Sequence, residues 1–195
     1  MLLSLLGFAV AMYITPGPNN VMVACSAANY GLRATIPHML GIAVGFALML
    51  TLVSAGLGSA ILFWPRLLLV MRWIGIAWII WLAWKIASAP PPDMGRQARL
   101  LGFMGAVAFQ WINPKAWLIG LGAASTFILP DRPLTPQLLR LSLVFLACGM
   151  PCLLVWALIG SGSGRLLHSP GRLRAFNLAM AALLVLSVVP VLAEE

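Results

Sequence analysis

Two short polar clusters hold most of the chemistry this sequence offers: Pro16-Gly17-Pro18-Asn19-Asn20 near the start, and Asn113-Pro114-Lys115 past the middle. Pro16 and Pro18 lack amide hydrogens and Gly17 relaxes the backbone between them, so a helix running through them unwinds or kinks. The carbonyls and amides freed there, with the side-chain amides of Asn19, Asn20 and Asn113, both donate and accept hydrogen bonds. Such groups suit a ligand that carries an ammonium and a carboxylate. Each helix restarting after its break has a positive N-terminal end that favours the carboxylate, and Lys115 strengthens that field. No catalytic constellation accompanies them: there is no acid–base pair, nucleophile with base, or metal cluster. Gly160, Gly162 and Gly164 match neither a phosphate loop nor a dinucleotide fingerprint, so no cofactor is expected.

The elements that must position these clusters are membrane helices. Of 195 residues, 62% are hydrophobic and 8% charged, with a mean hydropathy of +1.02. That composition predicts an all-α integral membrane protein forming a single domain, 1–195. At about 20 apolar residues per crossing, spans are expected near Leu2 to Ala28, Ile36 to Phe63, Leu67 to Ile86, Leu100 to Leu129, Pro136 to Ile159 and Leu173 to Leu192. Loops are expected at Trp64-Pro65-Arg66, Ala89 to Asp93, Pro130 to Pro133, and Gly160 to Gly164. Non-helical backbone at membrane depth survives only where it lines a cavity or is buried in protein. At 1.5 Å per residue both breaks fall roughly 20 Å into a core about 30 Å thick.

The proline-rich stretch near residue 90 divides the chain into two sets of three spans, about 1–90 and about 98–195. A set with an odd number of crossings re-enters the membrane inverted, which predicts two inverted three-helix repeats with broken first and fourth helices. The net charge of +8 does not point to nucleic acid, because the basic residues are scattered at span ends. Seven of them (Arg33, Lys85, Arg96, Arg99, Arg165, Arg172 and Arg174) fall on one side, against Arg66, Arg72, Arg132 and Arg140 on the other. The positive-inside rule then places both termini outside. The N-terminal run has no Lys or Arg ahead of it and is expected to be a retained span.

Several residues are expected to serve structure. Cys25, Cys148 and Cys152 read as small packing residues, and Pro151 as a kink in the fifth span, passive or else a moving hinge. Gly41 with Gly45, and Gly120 with Gly122 and Ala124, read as close-packing helix faces, with a homodimer contact as the other use of such faces. His38 is expected at the membrane surface. The tryptophans are expected at span ends, although Trp111 and Trp117 flank the deep break and are candidates to wall a cavity.

Thr15 to Asn19, then Gly31 and Arg33, then Gly41-Ile42-Ala43-Val44-Gly45, resemble the opening of a LysE-type amino-acid exporter. Gly75 to Lys85 resembles that family's third span, Phe109-Gln110-Trp111-Ile112-Asn113-Pro114-Lys115-Ala116-Trp117 its fourth-span motif, and Leu186 to Pro190 its last span. The likeness covers the chain, is nearest to the homoserine, threonine and neutral amino-acid branch, and brings Gln110 into the candidate binding set. It implies efflux of amino acids or related small metabolites across a bacterial inner membrane, driven by the proton gradient or membrane potential. The four acids, Asp93, Asp131, Glu194 and Glu195, all lie outside the apolar stretches. Since relatives that export basic amino acids are expected to hold an acid within the membrane, a neutral zwitterion is the expected substrate. Export of another small metabolite or of a metal ion, and a channel, are the alternatives. The spans lack acidic, clustered Cys or His ligands for a metal, and no filter-like ring of charges or carbonyls marks a channel.

Overall fold

The computed structural model describes residues 1–58, 63–88, 101–166, 170–187 and 189, and every regular element among them is helical. Helix α1 (Leu2–Ile14) stops where Thr15 precedes a proline and takes ψ 132°, since a proline disfavours helical backbone in the residue before it. α2 (Pro18–Tyr30) restarts with proline in its first turn, where the missing amide hydrogen does no harm, and leaves α1 at 55°. Gly31 turns the chain at φ 83°, a setting that favours glycine, into α3 (Leu32–Leu52), which runs on through a π-helical turn, Val53–Leu57. α4 (Pro65–Ala87) follows. α5 (Phe103–Ile112) and α6 (Pro114–Phe127) are separated by Asn113 alone, extended at ψ 108° ahead of Pro114. α7 (Leu134–Leu166) and α8 (Pro170–Leu186) complete the described helices.

Among the described residues, three segments are long and apolar enough to cross a bilayer alone: Leu32–Leu57, Leu69–Ala87 and Leu134–Gly162. The bent α1–α2 pair makes a fourth when taken as one span. α5, at 10 residues, and α8, at 17, are shorter, so the described helices match the expected six spans in part. One expected loop is corrected. Gly160 to Gly164 form no loop, because α7 continues through them to Leu166, and Gly160 lies against the main chain of Ala24 in α2. Pro151 lies inside α7. The expected divide at Ala89 to Asp93 lies outside the described residues, as do Arg96, Arg99, Pro190, Glu194 and Glu195.

α3 packs between α5 and α7, α1 lies on α7, α2 on α7 and α3, and α4 on α8. The Gly41–Gly45 face is occupied within the chain: a β-carbon at Gly41 would strike the Phe103 carbonyl, and one at Gly45 would lie 2.7 Å from Val107 Cα. That contact removes the face from any dimer. Gly120 and Gly122 are not close-packed, since β-carbons there would meet Val53 and Phe8 at 3.8 and 3.9 Å, ordinary contact distances. Polar residues turn inward while Leu3, Leu48, Trp64, Trp84 and Met104 face outward. Buried Asn, Gln, Ser and Thr beside exposed Leu and Trp invert the pattern of a water-soluble surface and fit a chain solvated by lipid.

Candidate functional site

Breaking the first helix takes the helical donors from the carbonyls of Met12 to Pro16, and those of Tyr13 to Pro16 find another donor. Asn20 Nδ2 donates to the Tyr13 carbonyl at 2.6 Å and to that of Thr15 at 2.9 Å. Trp156 Nε1, from α7, donates to the Ile14 carbonyl at 3.1 Å. Lys115 Nζ, from the second break, donates to the Thr15 and Pro16 carbonyls at 2.7 and 3.0 Å. Thr15 turns its own hydroxyl back onto the Ala11 carbonyl. On the amide side no side chain caps α2, whose first turn begins with a proline, so Asn19 and Asn20 bring its first main-chain amides to the break.

The second break is closed differently. Asn113 Oδ1 accepts from the Lys115 amide at 3.2 Å, and the Asn113 carbonyl accepts from Ala116 at 3.0 Å and Trp117 at 3.3 Å, so the start of α6 is capped. Because the Lys115 amide is used in this way, the Trp111 carbonyl lacks its helical donor, and Trp117 Nε1 supplies one at 2.8 Å. A pair of amides joins the breaks: Asn19 Nδ2 donates to Gln110 Oε1 at 2.9 Å and Gln110 Nε2 donates to Asn19 Oδ1 at 3.2 Å. Gln110 is fully buried and also donates to the Ala106 carbonyl at 2.9 Å. With both amides used this way, each fixes the orientation of the other.

Between the breaks lies a cavity of about 370 Å³, including its open mouth. Its polar wall is Gly17, Pro18, Asn19, Asn20, Asn113 and Lys115, all in the set expected from sequence. Pro16, Gln110 and Pro114 do not line it. Pro16 contributes its carbonyl to Lys115, Gln110 orients Asn19, and Pro114 packs against Gly75 of α4. The apolar wall was not legible in the sequence. It includes Tyr13, Phe46 and Phe145, whose ring centroids lie 5.4 to 5.9 Å apart, and they come from α1, α3 and α7.

Trp111 and Trp117 do not wall the cavity; their rings pack edge to face at 6.2 Å and Trp117 caps the broken helix. His38 is not at the surface. It is fully buried on α3, and neither ring nitrogen has a hydrogen-bond partner among the described residues. Its displacement has a simple cause: α3 starts at Leu32, so Pro37 and His38 lie in its second turn instead of at its end.

A family model described as LysE type translocator matches residues 10–193. A cysteine/O-acetylserine efflux protein of Klebsiella pneumoniae subsp. pneumoniae is 35% identical over 189 residues, which cover 97% of this chain and 95% of that protein. Proteins of the same name from Escherichia coli (strain K12) and Shigella flexneri are each 34% identical over 172 residues, 88% of this chain and 87% of theirs. No solved structure matches the chain significantly. With the family's match running from the last turns of α1 across both breaks and through α8, the chain belongs to the LysE type translocator family.

Proposed function

We propose that this chain is a secondary exporter of small neutral, zwitterionic amino acids, working by alternating access across a bacterial inner membrane. The observation that carries the proposal is the meeting of the two breaks at one cavity, where Lys115 of the second holds carbonyls of the first. The substrate carboxylate is taken up at the uncapped start of α2, beside the charge of Lys115. Its ammonium is taken up by break carbonyls and side-chain amide oxygens, and its side chain rests on Tyr13, Phe46 and Phe145. Among the described residues no acidic side chain lines the cavity, which favours a neutral side chain over a cationic one. The names of the relatives put cysteine and O-acetylserine first among the substrates to try.

Six spans in two inverted repeats are the architecture we infer for the single domain. The packing supports it: α3 lies on α5 as α7 lies on α1, the exchange expected when α1–α2 corresponds to α5–α6 and α3 to α7. The test is efflux of preloaded neutral and basic amino acids from proteoliposomes, with and without a pH gradient. Saturable efflux of cysteine or O-acetylserine, abolished in Asn19→Ala and sharply reduced in Lys115→Gln, is the expected result. Efflux of basic amino acids alone, or an Asn19→Ala variant as active as wild type, would overturn it.

A further inference from the structure

Lys115 reaches across to the other break. Its Nζ donates to the Thr15 and Pro16 carbonyls, 100 and 99 residues away in sequence. Its side chain passes so close to Gly17 that a β-carbon there would lie 2.7 Å from Lys115 Cδ and 2.9 Å from Nζ. Gly17 itself is extended, at φ 179°, a setting open to any residue, so the approach of the lysine is what calls for glycine. Both residues line the cavity, and among the described residues its wall contains no carboxylate to pair with the lysine. The charge rests on main-chain carbonyls.

An ammonium held by two carbonyls beside an uncapped helix start is the arrangement that the ammonium half of an amino acid would itself adopt there. We propose that Lys115 is a tethered stand-in for the substrate's ammonium, occupying the Thr15 and Pro16 carbonyls when no amino acid is bound and yielding them when one enters. The proposal rests on the two-break cavity being the substrate site. Asn20 still serves the Thr15 carbonyl, so the Pro16 carbonyl is the one left without a donor when the lysine leaves; that is costly at membrane depth, and a carrier must change conformation both with its cargo and without it. Substrate supplies the donor on the outward step and the lysine supplies it on the return. Once displaced, the lysine turns to the carboxylate arriving at the amides of Asn19 and Asn20. Exchange of amino acid for amino acid therefore uses the lysine only for its pull on the carboxylate, whereas net efflux, which includes an unloaded return, also needs it on the carbonyls.

The experiment uses full-length protein in liposomes and labelled cysteine under reducing conditions. Exchange is measured against external cysteine, and net efflux into amino-acid-free buffer. In Lys115→Met both rates are expected to fall, because the substrate carboxylate loses its cation, but net efflux is expected to fall roughly tenfold or more beyond exchange, the factor set by losing one charge-assisted hydrogen bond on the unloaded return. Gly17→Ala, which keeps the charge but pushes the lysine off the carbonyls, is expected to behave the same way and carries the test if Lys115→Met does not fold. Ethylammonium on both sides of the membrane is expected to restore net efflux to Lys115→Met. Equal loss of exchange and net efflux would make the lysine an ordinary substrate ligand and overturn the proposal, and loss of neither would overturn it too. Asn19→Ala separates this from the underlying reading: if it leaves both rates unchanged, or wild type moves no cysteine, the substrate site itself is misplaced.

Discussion

Asn20 holds two carbonyls through one amide nitrogen, at 2.6 and 2.9 Å, and it does so almost fully buried. Only a donor can serve there. Asn20→Ala removes the donor and leaves two acceptors short of partners, a loss of about 1–3 kcal/mol. Asn20→Asp has nearly the same shape but turns carboxylate oxygens toward carbonyl oxygens, so it is expected to lower the unfolding temperature in detergent further than the alanine does. Equal melting temperatures for the two variants would mean that Asn20 is held by shape alone. The residues of both breaks were legible in the sequence because Pro, Gly and Asn mark interrupted helix. Their partners were not, since nothing local in sequence ties Trp156 to Ile14 or Tyr13 to Phe46 and Phe145.

Helices in this chain approach through glycine where main chain meets main chain, and the contact at each glycine decides what a methyl group would do. A β-carbon at Gly160 of α7 would collide with the Ala24 main chain of α2, while one at Gly122 of α6 finds the Phe8 ring at an ordinary 3.9 Å. Gly160→Ala is therefore expected to destabilise by about 1–3 kcal/mol through forced backbone shifts. Gly122→Ala is expected to be neutral, or to stabilise by up to about 1 kcal/mol through helix propensity. Thermal unfolding of the two variants side by side checks both, and comparable losses would refute the distinction. Glycine also explains the misread connection. The sequence from Gly160 to Gly164 has the composition of a turn, and composition does not distinguish a glycine that bends the chain from one that lets another helix come close. Hydropathy located the helices; which glycine faces meet depends on tertiary packing, and no single segment contains it.

For the molecule as a whole, the inferred orientation puts the Arg33 end of the helices in the cytoplasm and the Arg132 end outside. Both side chains are exposed. In a background with Cys25, Cys148 and Cys152 replaced, Arg33→Cys is expected to react with a membrane-impermeant thiol reagent only in inside-out vesicles, and Arg132→Cys only in right-side-out ones. The reverse labelling would invert the topology without disturbing the site. The first break also bears on how the molecule is made. Trp156 follows Ile14 by 142 residues, and Lys115 follows Thr15 by 100. A ribosome adding about 5–20 residues per second takes on the order of ten seconds to reach Trp156 after Ile14. Throughout that interval the nascent first half has no groups of its own to cover the Ile14 and Pro16 carbonyls, and its most favourable surroundings are water or another protein, not lipid.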